Sequence, residues 1–147
     1  MSETIELRPA RAEDARSIRR MIRAEDLDPT SMKWEHFIVA EDAGQIVAIG
    51  QVKEYRGCRE VGSLVTLPRY RGRGLAARIV AALEARSSYP LYLLCIEQMA
   101  AYYSKLGYAR ISFWEAPLVL KLKLIAVLWY RLQGYRFLAM RKDGAGG

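Results

Sequence analysis

The sequence predicts a mixed α/β domain around one central sheet, antiparallel in its early part and with a βαβ unit in the middle. Three observations predict it. Short apolar runs bounded by Gly, Pro and Asp take turns along the chain with stretches whose apolar residues recur every three or four positions. Three strand-like runs separated by tight turns follow one another between His36 and Leu67. A Gly-rich basic turn, RYRGRGLA at 69–76, then leads from a strand straight into a helical pattern.

Each element has its own justification. Ile5 to Leu7 reads as a short strand, stopped by Arg8-Pro9. Ala15, Ile18 and Ile22 mark an amphipathic helix from Ala12 to Ala24. Asp28-Pro29-Thr30 breaks the chain, and a short helical piece is expected around Met32 to Glu35. His36 to Glu41 and Gln45 to Tyr55 read as a hairpin about the turn Asp42 to Gly44, and Arg56-Gly57 turns the chain into a third strand, Glu60 to Leu67. Leu75, Ile79, Ala82 and Leu83 line one face of a helix from Leu75 to Arg86. Leu91 to Ile96 is continuously apolar, as in a strand covered on both faces. Ala100 to Leu106 reads as a helix with Gly107 as its C-terminal cap. Tyr108 to Phe113 reads as a strand, Pro117 to Leu132 as a long helix ended by Gly134, and Tyr135 to Arg141 as the last strand.

Size and composition narrow the class. The 147 residues suit one domain over 1–142 with a frayed, disordered tail at 143–147. The chain is 52% apolar and 27% charged, as expected of a globular protein. Cys58 and Cys95 are its two cysteines, which gives neither a disulfide framework nor zinc-ligand spacing, so no metal is expected. The opening MSETIELRPA lacks the apolar core of a signal peptide, and a cytoplasmic location is the expectation. The longest apolar stretch, Ala116 to Trp129, is interrupted by Lys121 and Lys123 and falls short of the roughly 20 residues a transmembrane helix needs. The net charge of +7 points to an anionic partner.

The basic turn offers a place for one. The first amides of a helix have no internal acceptor, and the helix dipole adds partial positive charge there. Gly72 and Gly74 let the main chain approach a ligand closely, and Arg71 and Arg73 add charge outside the backbone cradle. A pyrophosphate is the natural guest. No Gly-Lys-Ser/Thr follows, so this is not a nucleotide P-loop, and the three-glycine dinucleotide spacing is absent. A solvated basic turn is the plainer alternative.

Val65-Thr66-Leu67-Pro68-Arg69-Tyr70-Arg71-Gly72-Arg73-Gly74-Leu75-Ala76 resembles the acetyl-CoA signature of the GNAT acetyltransferases, Gln/Arg-x-x-Gly-x-Gly/Ala after a strand ending in Val-x-Pro. Arg71, Gly74 and Ala76 stand on its fixed positions. Ala101 to Tyr108 resembles the family's second mark, an aromatic-Tyr pair followed by Lys-x-Gly-aromatic, and Ile5 to Ile18, with Arg8 and Asp14, is similar to its first strand and helix. The order of these marks covers nearly the whole chain. The segment 27–32 with Trp34 is similar to the small bacterial and plastid-type branch that includes the N-acetylglutamate-synthase-like members.

The resemblance implies the GNAT acyl-CoA N-acyltransferase fold and an enzyme that moves an acetyl group from acetyl-CoA to a primary amine by direct attack in a ternary complex. It implies that main-chain amides of Arg71, Gly72, Arg73, Gly74, Leu75 and Ala76 hold the CoA pyrophosphate. Leu64 and Val65 would pair with the pantetheine arm in a cleft where their strand splays from Leu91 to Ile96. The Val65 amide would meet the developing oxyanion, and Tyr103 would protonate the departing thiolate. Glu60 stands where several members carry a general base; an exposed strand-end charge is the equal alternative for it, and Glu97 is a second candidate. His36 is expected to be structural, and Cys95 a small buried thiol rather than an acyl carrier. Gly62 inside its strand suggests a bulge.

Two departures stand out. Ile96-Glu97-Gln98 replaces the Asn that many members carry before the tyrosine helix. The helix from Pro117 to Leu132 replaces a short loop. Packing on its own sheet is its expected role; covering the acceptor site, pairing in a homodimer and resting on a membrane surface are the others. The acceptor is expected to be an amino acid or another small amine, with 27–32 and Trp34 forming one wall of its site. A sensor that binds acyl-CoA without turnover and a basic nucleic-acid-binding module are the competing functions. The second lacks a recognised binding motif, so nucleic acid is not the expected partner.

Overall fold

The computed structural model describes residues 4–25 and 27–145. Gly146 and Gly147 of the expected tail, with Asp26 and the first three residues, lie outside the described residues. The chain forms two compact units, residues 1–53 with 61–87 and residues 54–60 with 88–147.

In the first unit, β1 (Ile5–Pro9) pairs antiparallel with β2 (Phe37–Asp42), Leu7 opposite Ala40. β2 pairs antiparallel with β3 (Gln45–Tyr55), with an irregularity between Ala40 and Glu41, and β4 (Cys58–Thr66) follows in the order β1-β2-β3-β4. Ala43 and Gly44 take positive φ angles in the tight turn between β2 and β3. α1 (Ala15–Ala24), entered through a 3-10 turn at Ala12–Asp14, buries Ile18, Met21 and Ile22 against Phe37, Val39, Ile49 and Val65. Each such side chain removed from water contributes about 1.5–3 kcal/mol.

α2 (Leu75–Ala85) packs against β2. A methyl group at Gly50 would lie 2.5 Å from Leu64 Cδ2 and 2.7 Å from Ile79 Cγ2, so only glycine lets β3 meet this helix so closely. Arg8 is the electrostatic centre at the start of the chain. It donates to Asp14 at 2.7 and 3.1 Å and to Glu41 at 2.7 and 2.9 Å.

In the second unit the strand order is β5-β7-β6, all antiparallel. β5 (Leu91–Ile96) and β6 (Ala109–Ile111) both pair with β7 (Phe137–Lys142), so the last strand enters between two earlier ones. α3 (Ala100–Lys105) lies between β5 and β6 in the chain, and α4 (Leu118–Ala126) between β6 and β7. β5 is covered on both faces, as its composition predicts, but unequally: Leu91, Leu93 and Cys95 are buried, while Tyr92, Leu94 and Ile96 are partly so.

Two expectations change here. The strand expected to reach Phe113 ends at Ile111, because Ser112 and Glu115 form a capping box over the next 3-10 turn. The Ser112 amide donates to Glu115 Oε1 at 2.9 Å, and the Glu115 amide to Ser112 Oγ at 3.3 Å. The long helix expected from Pro117 to Leu132 stops at Ala126, and Leu128–Gln133 continues as 3-10. Apolar residues surround this segment, so periodicity could not fix its end. Packing does. Leu120 and Leu124 are buried with Cys58, Ala116 and Ala139, and the tighter turn then brings the Tyr130 ring to 5.9 Å from Phe137.

Candidate active site

The first unit carries the strand, turn and helix of the basic motif. Val65 of β4 is buried in the α1 core, and Leu64, its neighbour on the opposite face, meets α2. The irregularity expected at Gly62 falls one residue later, at Ser63, whose φ is +52°. Ser63 Oγ accepts a hydrogen bond of 2.9 Å from Gln51, which also donates to the Ser31 carbonyl at 2.5 Å. A 3-10 turn at Pro68–Tyr70 follows β4, and Leu75 opens α2.

Gly72 and Gly74 both adopt φ of +78°, the left-handed region that L side chains resist. The result is a run of unsatisfied donors. Among the described residues, the Arg78 amide is the first after Arg71 to return to a backbone carbonyl, that of Gly74 at 3.1 Å. The amides from Gly72 to Ala77 have no backbone acceptor there. A Cβ on Gly72 or Gly74 would meet nothing within 4 Å, so the loop surface is open to a ligand. These residues fit a bound pyrophosphate in donor number and charge.

The arginines are more constrained than the sequence suggests. Arg71 donates to the Thr66 carbonyl at 3.1 Å and pairs with Glu25 at 2.9 Å. Arg73 donates to the Arg69 carbonyl at 3.1 Å and lies 4.8 Å above the Tyr70 ring. Tyr70, a residue the sequence reading did not single out, is buried and donates to Asp42 at 2.6 Å. Its position between Arg69 and Arg73 gave no separate signal, since the aromatic could as well have been surface.

The proposed acceptor wall, 27–32, is tied to β3 twice. Lys53 pairs with Asp28 at 3.2 Å, and Gln51 holds Ser31. Both β3 side chains are buried, and Gln51 Oε1 has no hydrogen-bond partner among the described residues. Leu27, Met32 and Trp34 pack on the α1 core.

The second unit carries Tyr103, Glu60, Glu97 and Cys95. Tyr103 lies on α3 with its ring edge-on to Tyr102, centroids 5.2 Å apart. Burial, followed by Cys95 and Tyr102, pushes its phenol up to about 12. Cys95 is buried on β5, its thiol 3.8 Å from Met140 Sδ and pushed up to about 11 by burial. A thiol at that value stays protonated near neutral pH, which suits a packing role.

Glu60 is 5% exposed, not an open strand-end charge. It accepts from Lys123 at 2.8 Å and from the Tyr55 hydroxyl at 3.1 Å, and Lys123 also donates to Tyr55. Lys123 belongs to the added helix α4, so the departure from the family pattern reaches the candidate base directly. Lysine in an apolar helical run could be read as an interruption, but not as the partner of a residue 63 positions earlier. Glu97 is exposed and paired with Arg110. His36 is partly buried, with Nδ1 unpartnered among the described residues.

With the free-amide turn and the tyrosine helix in place, the comparison with known proteins gives the class. The acetyltransferase (GNAT) domain family matches residues 33–110, just over half of the chain, and the chain belongs to that family. No curated protein sequence matches it. Among solved structures it is similar to N-acetylglutamate synthase from Neisseria gonorrhoeae, solved with coenzyme A and N-acetyl-glutamate. That match has a TM-score of 0.75 and 17% identity, over 95% of this chain and 35% of that one. The chain thus spans about a third of the synthase's length. It is similar also to Rv2747 from Mycobacterium tuberculosis, solved with CoA (TM-score 0.73, 16% identity, 95% and 99% covered). Glucosamine-6-phosphate N-acetyltransferase from Arabidopsis thaliana is a third (TM-score 0.58, 20% identity, 74% and 94% covered). These likenesses show the GNAT fold.

Proposed function

We propose that the protein is an acetyl-CoA-dependent N-acetyltransferase acting on a primary amine, with an amino acid or another small amine as the favoured acceptor. The observation that carries this reading is the run of amides from Gly72 to Ala77 at the head of α2, without a backbone acceptor among the described residues, in a chain of the GNAT family. Bound acetyl-CoA supplies the activated thioester. The amides and the positive end of α2 hold its pyrophosphate, and the backbone of Leu64 and Val65 aligns the pantetheine arm.

The acceptor must lose a proton before it attacks, since an ammonium has no lone pair and a lysine-like amine titrates near ~10.4. Glu60 is the base we favour. Lys123 and the Tyr55 hydroxyl both donate to its Oε1 and fix its direction. Glu97 is the second candidate. As the amine attacks, charge grows on the carbonyl oxygen, and the Val65 amide is the donor we assign to it. Tyr103 holds the proton that the departing sulfur takes. Its hydroxyl has no hydrogen bond to another described residue, so it is open to that partner.

The first test is thermal unfolding with and without millimolar acetyl-CoA, then an amine panel read by released thiol. A ligand bound only by the folded state raises the midpoint by mass action. A raised midpoint with thiol release supports the enzyme. A raised midpoint with no release from any amine favours the acyl-CoA sensor. An unchanged midpoint overturns the reading and turns attention to nucleic acid, whose binding would fall steeply with salt.

A further inference from the structure

We propose that the outer face of α4 and of the 3-10 segment after it is a docking surface for an anionic lipid membrane, independent of the acetyl-transfer reading. Eight of the nine large hydrophobic side chains exposed among the described residues lie between 114 and 135. Leu118, Leu122 and Ile125 are spaced four and three apart, one stripe of α4. Leu120 and Leu124 form the opposite stripe and are buried in the second unit. The helix is therefore apolar on both sides, and only one side has a protein partner. The exposed side continues through Leu128, Trp129 and Leu132, the last 92% exposed. A patch of this kind is rare on a soluble monomer and marks an interaction site.

The charges around the patch select its occupant. From Ala116 to Lys142 the sequence holds six basic residues and no acidic one. Lys123 pairs with Glu60, Arg141 pairs with Asp143 and Lys142 is buried, which leaves Lys121, Arg131 and Arg136 for the patch. Lys121 sits 5.9 Å over the exposed Trp114 ring. Arg131 and Arg136, with Glu97 as the one carboxylate, border an apolar cavity of about 430 Å³ lined by Ile125, Leu128 and Phe137. Exposed Trp and Leu among Lys and Arg is the composition of a segment lying in the headgroup region of an anionic bilayer. A second copy of the chain fits poorly. A two-fold contact sets each patch against itself, so a face with more cations than carboxylates would meet its own like charge. Spanning is excluded by length: nine residues of α4 extend about 14 Å, against a hydrocarbon core of about 30 Å, and no helix among the described residues is long and apolar enough to cross.

The test is co-sedimentation of the full chain with phosphatidylcholine vesicles, with and without phosphatidylserine, alongside tryptophan emission. The expected result is binding to the phosphatidylserine vesicles with a blue shift, weakened by salt. Leu118→Glu with Leu122→Glu should reduce binding at least about tenfold, while leaving the unfolding midpoint and acetyl-CoA response as in the parent, since both side chains point to solvent. Lys121→Ala and Arg131→Ala should each weaken it roughly fivefold, as expected for one basic residue at an anionic surface. A parent protein that stays in the supernatant with both vesicles overturns the proposal. So does a concentration-dependent dimer that Leu118→Glu with Leu122→Glu dissociates, because the face would then belong to a second copy. Equal binding to both vesicle types overturns the anionic preference.

Discussion

Tyr103 keeps its proton because its surroundings cannot solvate a phenolate. Burial is the largest cause, and the value of about 12 leaves the phenol neutral across ordinary assay conditions. A neutral hydroxyl without a partner can donate to a growing thiolate. Tyr103→Phe should therefore lower kcat by about 10²-fold and leave acetyl-CoA affinity nearly as it was; steady-state kinetics with a binding titration check both. A variant with unchanged kcat would remove Tyr103 from the reaction. Gly74 tests the other end of the cofactor. An L side chain at φ +78° costs about 1–2 kcal/mol, but nothing stands within 4 Å of its Cβ position. Gly74→Glu should therefore fold, and its carboxylate should raise the acetyl-CoA dissociation constant at least about 100-fold. Isothermal titration on the folded variant reads this directly. Retained affinity would mean that the pyrophosphate lies elsewhere.

At the level of elements, α4 is fixed by two unlike interactions. Leu120 and Leu124 bury apolar surface, and Lys123 between them neutralises Glu60. Side-chain exposures of 22% and 7% make this pair more than a surface salt bridge. Lys123→Met leaves a buried carboxylate without its cation and should cost roughly 3 kcal/mol in urea unfolding. Adding Glu60→Gln should recover part of that loss, because the uncompensated charge is then gone. Simple additivity of the two changes would mean that they do not interact. This pair also marks the limit of what the sequence made legible. The turn at 69–76 was readable because glycine, arginine and helix onset are local signals. β1, α1, α2 and the early hairpins were readable for the same reason. The end of α4 was not, since apolar residues on every side erase the period that would place it. Glu60–Lys123 was not, since a contact across 63 positions has no local pattern. The Ser112–Glu115 capping box was present in the letters, and the strand expected over it should have been shortened on that ground.

Across the whole molecule, groups held away from their ordinary ionisation predict the shape of the pH–stability curve. On the acid side, Arg8 and the Arg11 amide hold the Asp14 carboxyl below its usual 3.8. The unfolded chain then binds a proton at Asp14 before the folded one does, so this stabilisation is whole above pH ~4 and drains away as pH falls further. On the alkaline side the signs reverse. Cys95 moves from 9.0 to about 11 and Tyr103 from 10.0 to about 12, both chiefly by burial, and Tyr55 and Cys58 are pushed up as well. The folded protein keeps protons that the unfolded chain releases, so stability present below pH 9 is lost as pH rises through 9 to 12. Urea midpoints measured from pH 3 to pH 11 should show a plateau with these two falling limbs. Cys95→Val should flatten the start of the alkaline limb, Tyr103→Phe its later part, and Asp14→Asn the acid limb while lowering the plateau by roughly 2 kcal/mol. An alkaline limb that none of the buried-group variants alters would mean that burial of Cys95 and Tyr103 does not set the protein's upper pH limit.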